Sequence, residues 1–215
     1  GGTGVAALIA PALGKAAMKI GELIMLATNL QPFLMGIVVS VLVGIALTLP
    51  ISSAAICAAF GLTGLAGGAA VAGCCAQMVG FAVMSFKENR WGGLVSQGIG
   101  TSMLQMGNII KNPRIWIAPI VTSAITGPMA TCLFKLQMNG TPVSSGMGTC
   151  GFVGQIGVYS GWVNDIANGT KAAITGFDWA GMILISFVLP AVLCPLINML
   201  LKKIGWVKDG DMKLS

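Results

Sequence analysis

Charge is what this chain lacks most. Of its 215 residues only 8% are Asp, Glu, Lys or Arg, against about 25% in soluble domains. A soluble globular protein is thereby excluded. Histidine is absent altogether, which removes Ser/His and Cys/His nucleophilic pairs from the chain and leaves little basis for a zinc site. There is no Cys-x-x-Cys pair. Cys57, Cys74, Cys75, Cys132, Cys150 and Cys194 lie mostly in apolar segments and read as small buried side chains. No Gly-Lys-Ser/Thr follows the glycine-rich stretches, so none of them is a phosphate loop. Nothing in the composition calls for a cofactor or a metal. The net charge of +6 comes from basic residues scattered in short pieces beside apolar runs. They form no basic face for nucleic acid and read as orientation signals in a membrane.

What is present is apolar. Hydrophobic residues make up 55% of the chain, the mean hydropathy is +0.88, and there are 31 glycines. The apolar runs are continuous and lack the in/out alternation of a transmembrane β-barrel. The fold class is therefore all-α: a polytopic helical membrane protein with close helix packing, broken helices and re-entrant hairpins. Residues 179–201 are uncharged and, at 1.5 Å per residue, reach about 34 Å, enough to span. Residues 115–136 form a second span and 33–49 a third, ending at Pro50. Residues 4–30 carry Lys15, Lys19 and Glu22 and read as half span, half interfacial helix. Lys111 and Arg114 precede the second span and four lysines follow the last, which places both flanks and the C-terminus in the cytoplasm and loop 137–176 outside.

One uncharged stretch resists that pattern. Residues 47–83 contain Pro50, Ser52-Ser53, a chain of glycines and Gln77. Divided at Gly67-Gly68, it leaves residues 54–66, about 20 Å as a helix and too short to cross alone. A re-entrant or discontinuous helix facing a cavity fits this composition, and so does a glycine-kinked packed helix.

Polar residues that could meet a ligand gather in few places. Read as one helix, residues 91–112 place Gln97, Thr101, Gln105, Asn108 and Asn112 in a single sector. Trp91, Val95, Ile99, Met103, Met106 and Ile110 fall opposite. Such an uncharged stripe offers hydrogen bonds to a neutral polyol; an interfacial helix is the competing account, although those usually carry Lys and Arg. Pro-x-Ser-Ser occurs at 50–53 and 142–145, and Gly-x-Gly-Thr at 98–101 and 146–149, in matching order but at unmatched spacing. The candidate substrate-binding residues are thus Ser52, Ser53, Gln77, Gln97, Thr101, Gln105, Asn108, Thr149 and Gln155. Glu88 stands just before the stripe. Its carboxylate could act as a general base or pair locally with Lys87 or Arg90.

The stretches "LQPFLMGIVVSVLVGIALTLPISSAAI" (30–56), "GCCAQMVGFAVMSFKENRWGGLVSQGIGTSMLQMGNIIKNPRIWI" (73–117), "GMGTCGFVGQIG" (146–157) and "IGWVKDGDMKL" (204–214) resemble the enzyme IIC membrane subunits of the bacterial sugar phosphotransferase system. The resemblance covers essentially the whole chain and points to a stand-alone IIC branch that includes annotated regulators of toxin genes. It implies a homodimer in the bacterial inner membrane, a sugar held by broken helices and re-entrant loops, and a soluble IIB phosphocarrier acting at the cytoplasmic face. A glutamate near the reacting hydroxyl is part of that expectation, with Glu88 its candidate. Members of this branch carry further membrane segments ahead of the position of Gly1, so residues 1–215 are expected to be the C-terminal part of one IIC-type domain, opening in the tail of a membrane segment. A membrane sensor that binds a small ligand without moving it is the alternative function.

Overall fold

The computed structural model describes residues 2–214, with side-chain surroundings for residue 11 and for residues 14–214. It is all helical in its regular elements. Helix α1 (Gly2–Thr28) carries Lys15, Lys19 and Glu22 exposed on its surface. The expectation that the chain opens in the tail of a membrane segment falls mainly on side chains outside the described ones. Helix α2 (Pro32–Thr48) starts on a proline, which loses nothing in a first turn, and stops before Leu49-Pro50, where the residue ahead of a proline is pushed to extended backbone. Ser52 then caps the short α3 (Ser53–Ala59) by accepting a 3.1 Å bond from the Ala55 amide.

Helix α4 (Gly64–Met84) is the axis of the molecule. It is apolar and long enough to span, yet 94% of its span is buried by its neighbours. Its sequence explains this: glycine, alanine and cysteine keep its surface low, so α2 comes within backbone contact. A methyl group on Gly73 would collide with the Ser40 carbonyl of α2. In lipid, where apolar burial drives no association between helices, such close approach is what holds them together.

The uncharged stretch is broken, but not where the composition pointed. The helix runs unbroken through Gly67-Gly68; the breaks lie at residues 49–52, around Pro50, and at 60–63, where Gly61 and the following first residue of α4, Gly64, adopt φ of 61° and 64°. Gly67-Gly68 serves a different end. A methyl on Gly68 would run into the Leu136 carbonyl, so glycine admits a crossing chain there instead of interrupting the helix. Positive φ is what breaks a helix; a crowded flank only requires a missing Cβ.

Residues 91–112 are not one helix either. Helix α5 (Phe86–Val95) kinks at Arg90 (φ 50°), a π turn covers Ser96–Gly100, Thr101 is extended, and a 3₁₀ turn (Ser102–Gln105) leads into α6 (Met106–Lys111). The wide turn and the tight turn act in opposite senses on the winding, which keeps the amide side chains on one flank. The expected faces therefore survive: Gln97 and Gln105 are buried, while Trp91, Val95, Ile99, Met103 and Ile110 are exposed.

A helical run from Pro113 to Leu133, with α7 (Ile117–Pro128) at its centre, forms the second span and ends short of the expected Leu136. The chain beyond it is not a simple loop between spans. Met138 and Gly64 exchange both backbone bonds at 3.0 Å, then α8 (Pro142–Ser145) and the turn at Gly148 dip along α4 as far as Cys74. Cys74 lies ten residues into α4, about 15 Å from its start. Helix α9 (Val153–Ala167) returns, and α10 (Gly176–Ile183), a π turn and α11 (Leu189–Lys203) make the last span. The π turn sits ahead of Pro190, which has no N–H to bond one turn back.

Candidate functional site

Two re-entrant pieces meet beside α4, and they are the paired motifs of the sequence. Ser53 Oγ donates to the Gly146 carbonyl at 2.7 Å, and Ser145 Oγ donates to that of Leu62 at 2.5 Å. Each Pro-x-Ser-Ser motif thus anchors itself in the other hairpin. Thr149 Oγ1 donates to the Gly98 carbonyl at 2.5 Å, joining the two Gly-x-Gly-Thr motifs in the same way. These contacts join residues 51 to 93 positions apart, so the convergence is tertiary.

Between the motifs lies a cleft of about 390 Å³, lined in part by Pro50, Ser52, Ser53, Thr101, Met147 and Cys150. That volume is within the range of small-molecule sites. Thr48 and Ser102, near the lining residues Leu47 and Thr101, share a 2.8 Å hydroxyl bond. Thr48 also donates to Gln77 Oε1 at 3.3 Å, and that oxygen accepts Trp116 Nε1 at 2.9 Å. Gln77 Nε2 is buried without a partner. Opposite it on α4, Gln155 Nε2 donates to Cys75 Sγ at 3.3 Å, while Gln155 Oε1 and Ser186 Oγ lack partners. Buried polar atoms left open in this way are uncommon, and each marks a place where a water or ligand hydroxyl would bond.

The stripe has another occupant. Residues 206–214 lie back across it, and their backbone is held by side chains. Both Glu88 carboxylate oxygens accept backbone bonds, one from the Gly210 amide at 2.8 Å and one from that of Met212 at 3.0 Å. Asn89 bonds the Met212 carbonyl and the Leu214 amide, each at 2.8 Å. Gln105 Nε2 donates to Gln97 Oε1 (2.8 Å) and to the Met212 carbonyl (3.0 Å). Asn108 Nδ2 donates to Gln105 Oε1 (2.8 Å) and to the Lys213 carbonyl (3.0 Å). Asn112 holds the Trp206 carbonyl (3.1 Å) and Asp211 (2.8 Å). Lys202 pairs with Asp209 and, through that pair, holds the Asp209 carboxyl below its ordinary value. The amide stripe is a clasp for the chain's own tail.

Of the residues expected at a ligand site, Ser52, Ser53 and Thr101 are brought together on the cleft. Gln77 belongs to the polar line that includes Thr48 and Ser102, Thr149 ties the two hairpins, and Gln155 sits across α4. Glu88, Gln97, Gln105 and Asn108 line the clasp instead, away from that group. Sequence reasoning missed Thr48, Ser102, Trp116 and Asn89. Ser102 directly follows the first Gly-x-Gly-Thr motif and Asn89 adjoins Glu88, so both were within reach; Thr48 and Trp116 carry no local signal.

A multi-pass helical membrane protein with two re-entrant hairpins meeting at an open cleft has the build of a membrane carrier subunit. The family described as "Phosphotransferase system, EIIC" matches residues 1–214, and the chain belongs to that family. It is accordingly a permease subunit of the phosphotransferase system, whose substrate class is sugars. Comparisons with curated proteins and with solved structures gave no significant match.

Proposed function

We propose that this chain supplies the sugar-binding part of a phosphotransferase permease. A neutral sugar occupies the cleft beside Ser52, Ser53 and Thr101 and receives its phosphoryl group from a soluble IIB partner at the cytoplasmic face. The observation that carries this reading is the convergence of three short motifs, from distant parts of the chain, on one cleft next to a line of buried hydroxyl and amide groups, with the fourth, at 142–145, bonded to the first hairpin through Ser145. In this scheme Gln77, whose buried Nε2 has no partner and whose Oε1 is bonded by Thr48, is an open donor behind the cleft. Thr149 holds the two hairpins together beside the cleft, and Gln155, across α4, has an open Oε1 for a second contact. The proposal includes a homodimer in the bacterial inner membrane with residues 87–114 and the tail on the cytoplasmic side.

Glu88, Gln97, Gln105 and Asn108 enter the scheme conditionally. Glu88, Gln105 and Asn108 bond the tail directly and reach a ligand only after it leaves, while Gln97 is engaged by Ser85, Gly93 and Gln105 behind them. The same observation favours a second reading. A tail held by backbone bonds at the end of a sugar-binding subunit could report occupancy to a cytoplasmic protein, as a sensor does.

The two readings separate in membrane vesicles supplied with phosphorylated soluble proteins of the system and a panel of labelled sugars. Formation of sugar phosphate that depends on this protein supports the permease. Saturable sugar binding without sugar phosphate supports the sensor.

A further inference from the structure

At the end of α4 remote from the tail clasp lies a cavity of about 560 Å³, and it takes no part in the interior site. Its wall residue Leu136 packs on Gly68 near the start of α4, whereas Glu88 of the clasp follows the far end of that 21-residue helix, about 31 Å along. Aromatic and polar groups line the cavity together. Phe134 and Phe177 stack with ring centres 5.2 Å apart, and Phe177 remains 55% exposed. Across from them Asn139 Nδ2 bridges Asp165 (2.8 Å) and Gln137 (3.2 Å), and Lys171 pairs with Asp178 at 2.7 Å over the ring of Trp162.

The charges decide the ligand class. Two cations, Lys135 and Lys171, face two anions, Asp165 and Asp178, so the cavity has no net charge to attract an ion. Amide, carboxylate and ammonium groups supply donors and acceptors, and the rings supply flat apolar faces. A polyhydroxylated molecule presents that combination: hydroxyls at its rim and C–H groups on its faces.

The wall is also set in advance. Lys135 adopts φ 46°, which residues bearing a Cβ rarely do, and such strain gathers at functional sites. It is held there by pinned neighbours: the Leu136 amide bonds the Ala130 carbonyl at 2.8 Å, and Met138 is locked to Gly64. Gly181 packs against the Phe134 ring, where any larger side chain would displace it.

We propose that this cavity is a capture site for a neutral polyhydroxylated molecule on the outer face, ahead of the interior cleft. The proposal rests on the sugar-permease reading above.

Cysteine protection tests it on the protein in its membrane. In a Cys132→Ser, Cys150→Ser background the remaining native cysteines are buried, and Gln137→Cys provides a reporter on the cavity wall. Mannitol and glucose serve as neutral probes and glucose 6-phosphate as the charged control. At a probe concentration about ten times the dissociation constant, the reaction with a membrane-impermeant thiosulfonate should slow about tenfold for a neutral probe and not for the phosphate. Phe177→Ala should abolish the protection. Ala54→Phe, which fills the interior cleft, should leave it intact, so failure of the interior reading shows separately. Unchanged labelling with both neutral probes, or protection lost in Ala54→Phe and kept in Phe177→Ala, overturns the proposal.

Discussion

The tail clasp gives the sharpest quantitative test, because one side chain holds two backbone amides. In Glu88→Gln the shape is kept, but one acceptor oxygen becomes an NH₂ group facing an amide donor. Either the Gly210 or the Met212 bond is lost and two donors are opposed. Hydrogen bonds to charged groups contribute about 1.5–3 kcal/mol each, and the Gly210 bond is exposed, so the lower end applies. A loss of about 1.5 kcal/mol raises the open population of the tail roughly tenfold. Hydrogen–deuterium exchange of the C-terminal peptide, read by mass spectrometry in detergent, measures it directly. Exchange at residues 208–214 should rise about tenfold, with residues 64–84 unchanged. Glu22→Gln, exposed on α1, is the control and should do nothing. If the Glu88→Gln tail exchanges at the parent rate, the carboxylate does not hold it and the clasp reasoning fails.

Other consequences arise from packing. Gly68→Ala places a methyl against the Leu136 carbonyl and should destabilise by about 1–3 kcal/mol, whereas Gly92→Ala, with open space around it, should be neutral or gain up to about 1 kcal/mol; thermal unfolding in detergent compares them. Thr149→Val leaves the Gly98 carbonyl without its hydroxyl donor and should cost about 1–3 kcal/mol in the same assay. N-ethylmaleimide and then mass spectrometry should show Cys132 modified rapidly and Cys150 slowly, with Cys57, Cys74, Cys75 and Cys194 spared until the protein unfolds.

The hydropathy of the chain made its class legible, because few charges and long apolar runs admit no other solution than lipid-embedded helices. The motifs were legible as motifs, and their repetition did mark segments that meet. Glycine was harder to read. The same residue type permits positive φ at Gly61 and a chain crossing at Gly68, and only the tertiary neighbour distinguishes them. The stripe shows a different limit. Periodicity correctly separated the side carrying Gln97 and Gln105 from the side carrying Val95 and Ile99, even though the helix it assumed is interrupted at Thr101. What an amide bonds to has no periodic signature. A sugar hydroxyl and a backbone carbonyl present similar acceptors, and here the carbonyls of residues more than 90 positions downstream fill the role.

The account stands most directly on the cleft between the two hairpins. Ala54 is half-buried on its wall, and phenylalanine there fills the space without removing any of the bonds made by Ser53, Ser145 or Thr149. Sugar binding to purified parent and Ala54→Phe proteins, measured by calorimetry across a panel of neutral sugars, decides the matter. The account predicts a sugar that binds the parent and binds Ala54→Phe at least about tenfold more weakly, a loss of roughly 1.4 kcal/mol, with the unfolding temperature retained. Equal affinity in the two proteins contradicts it.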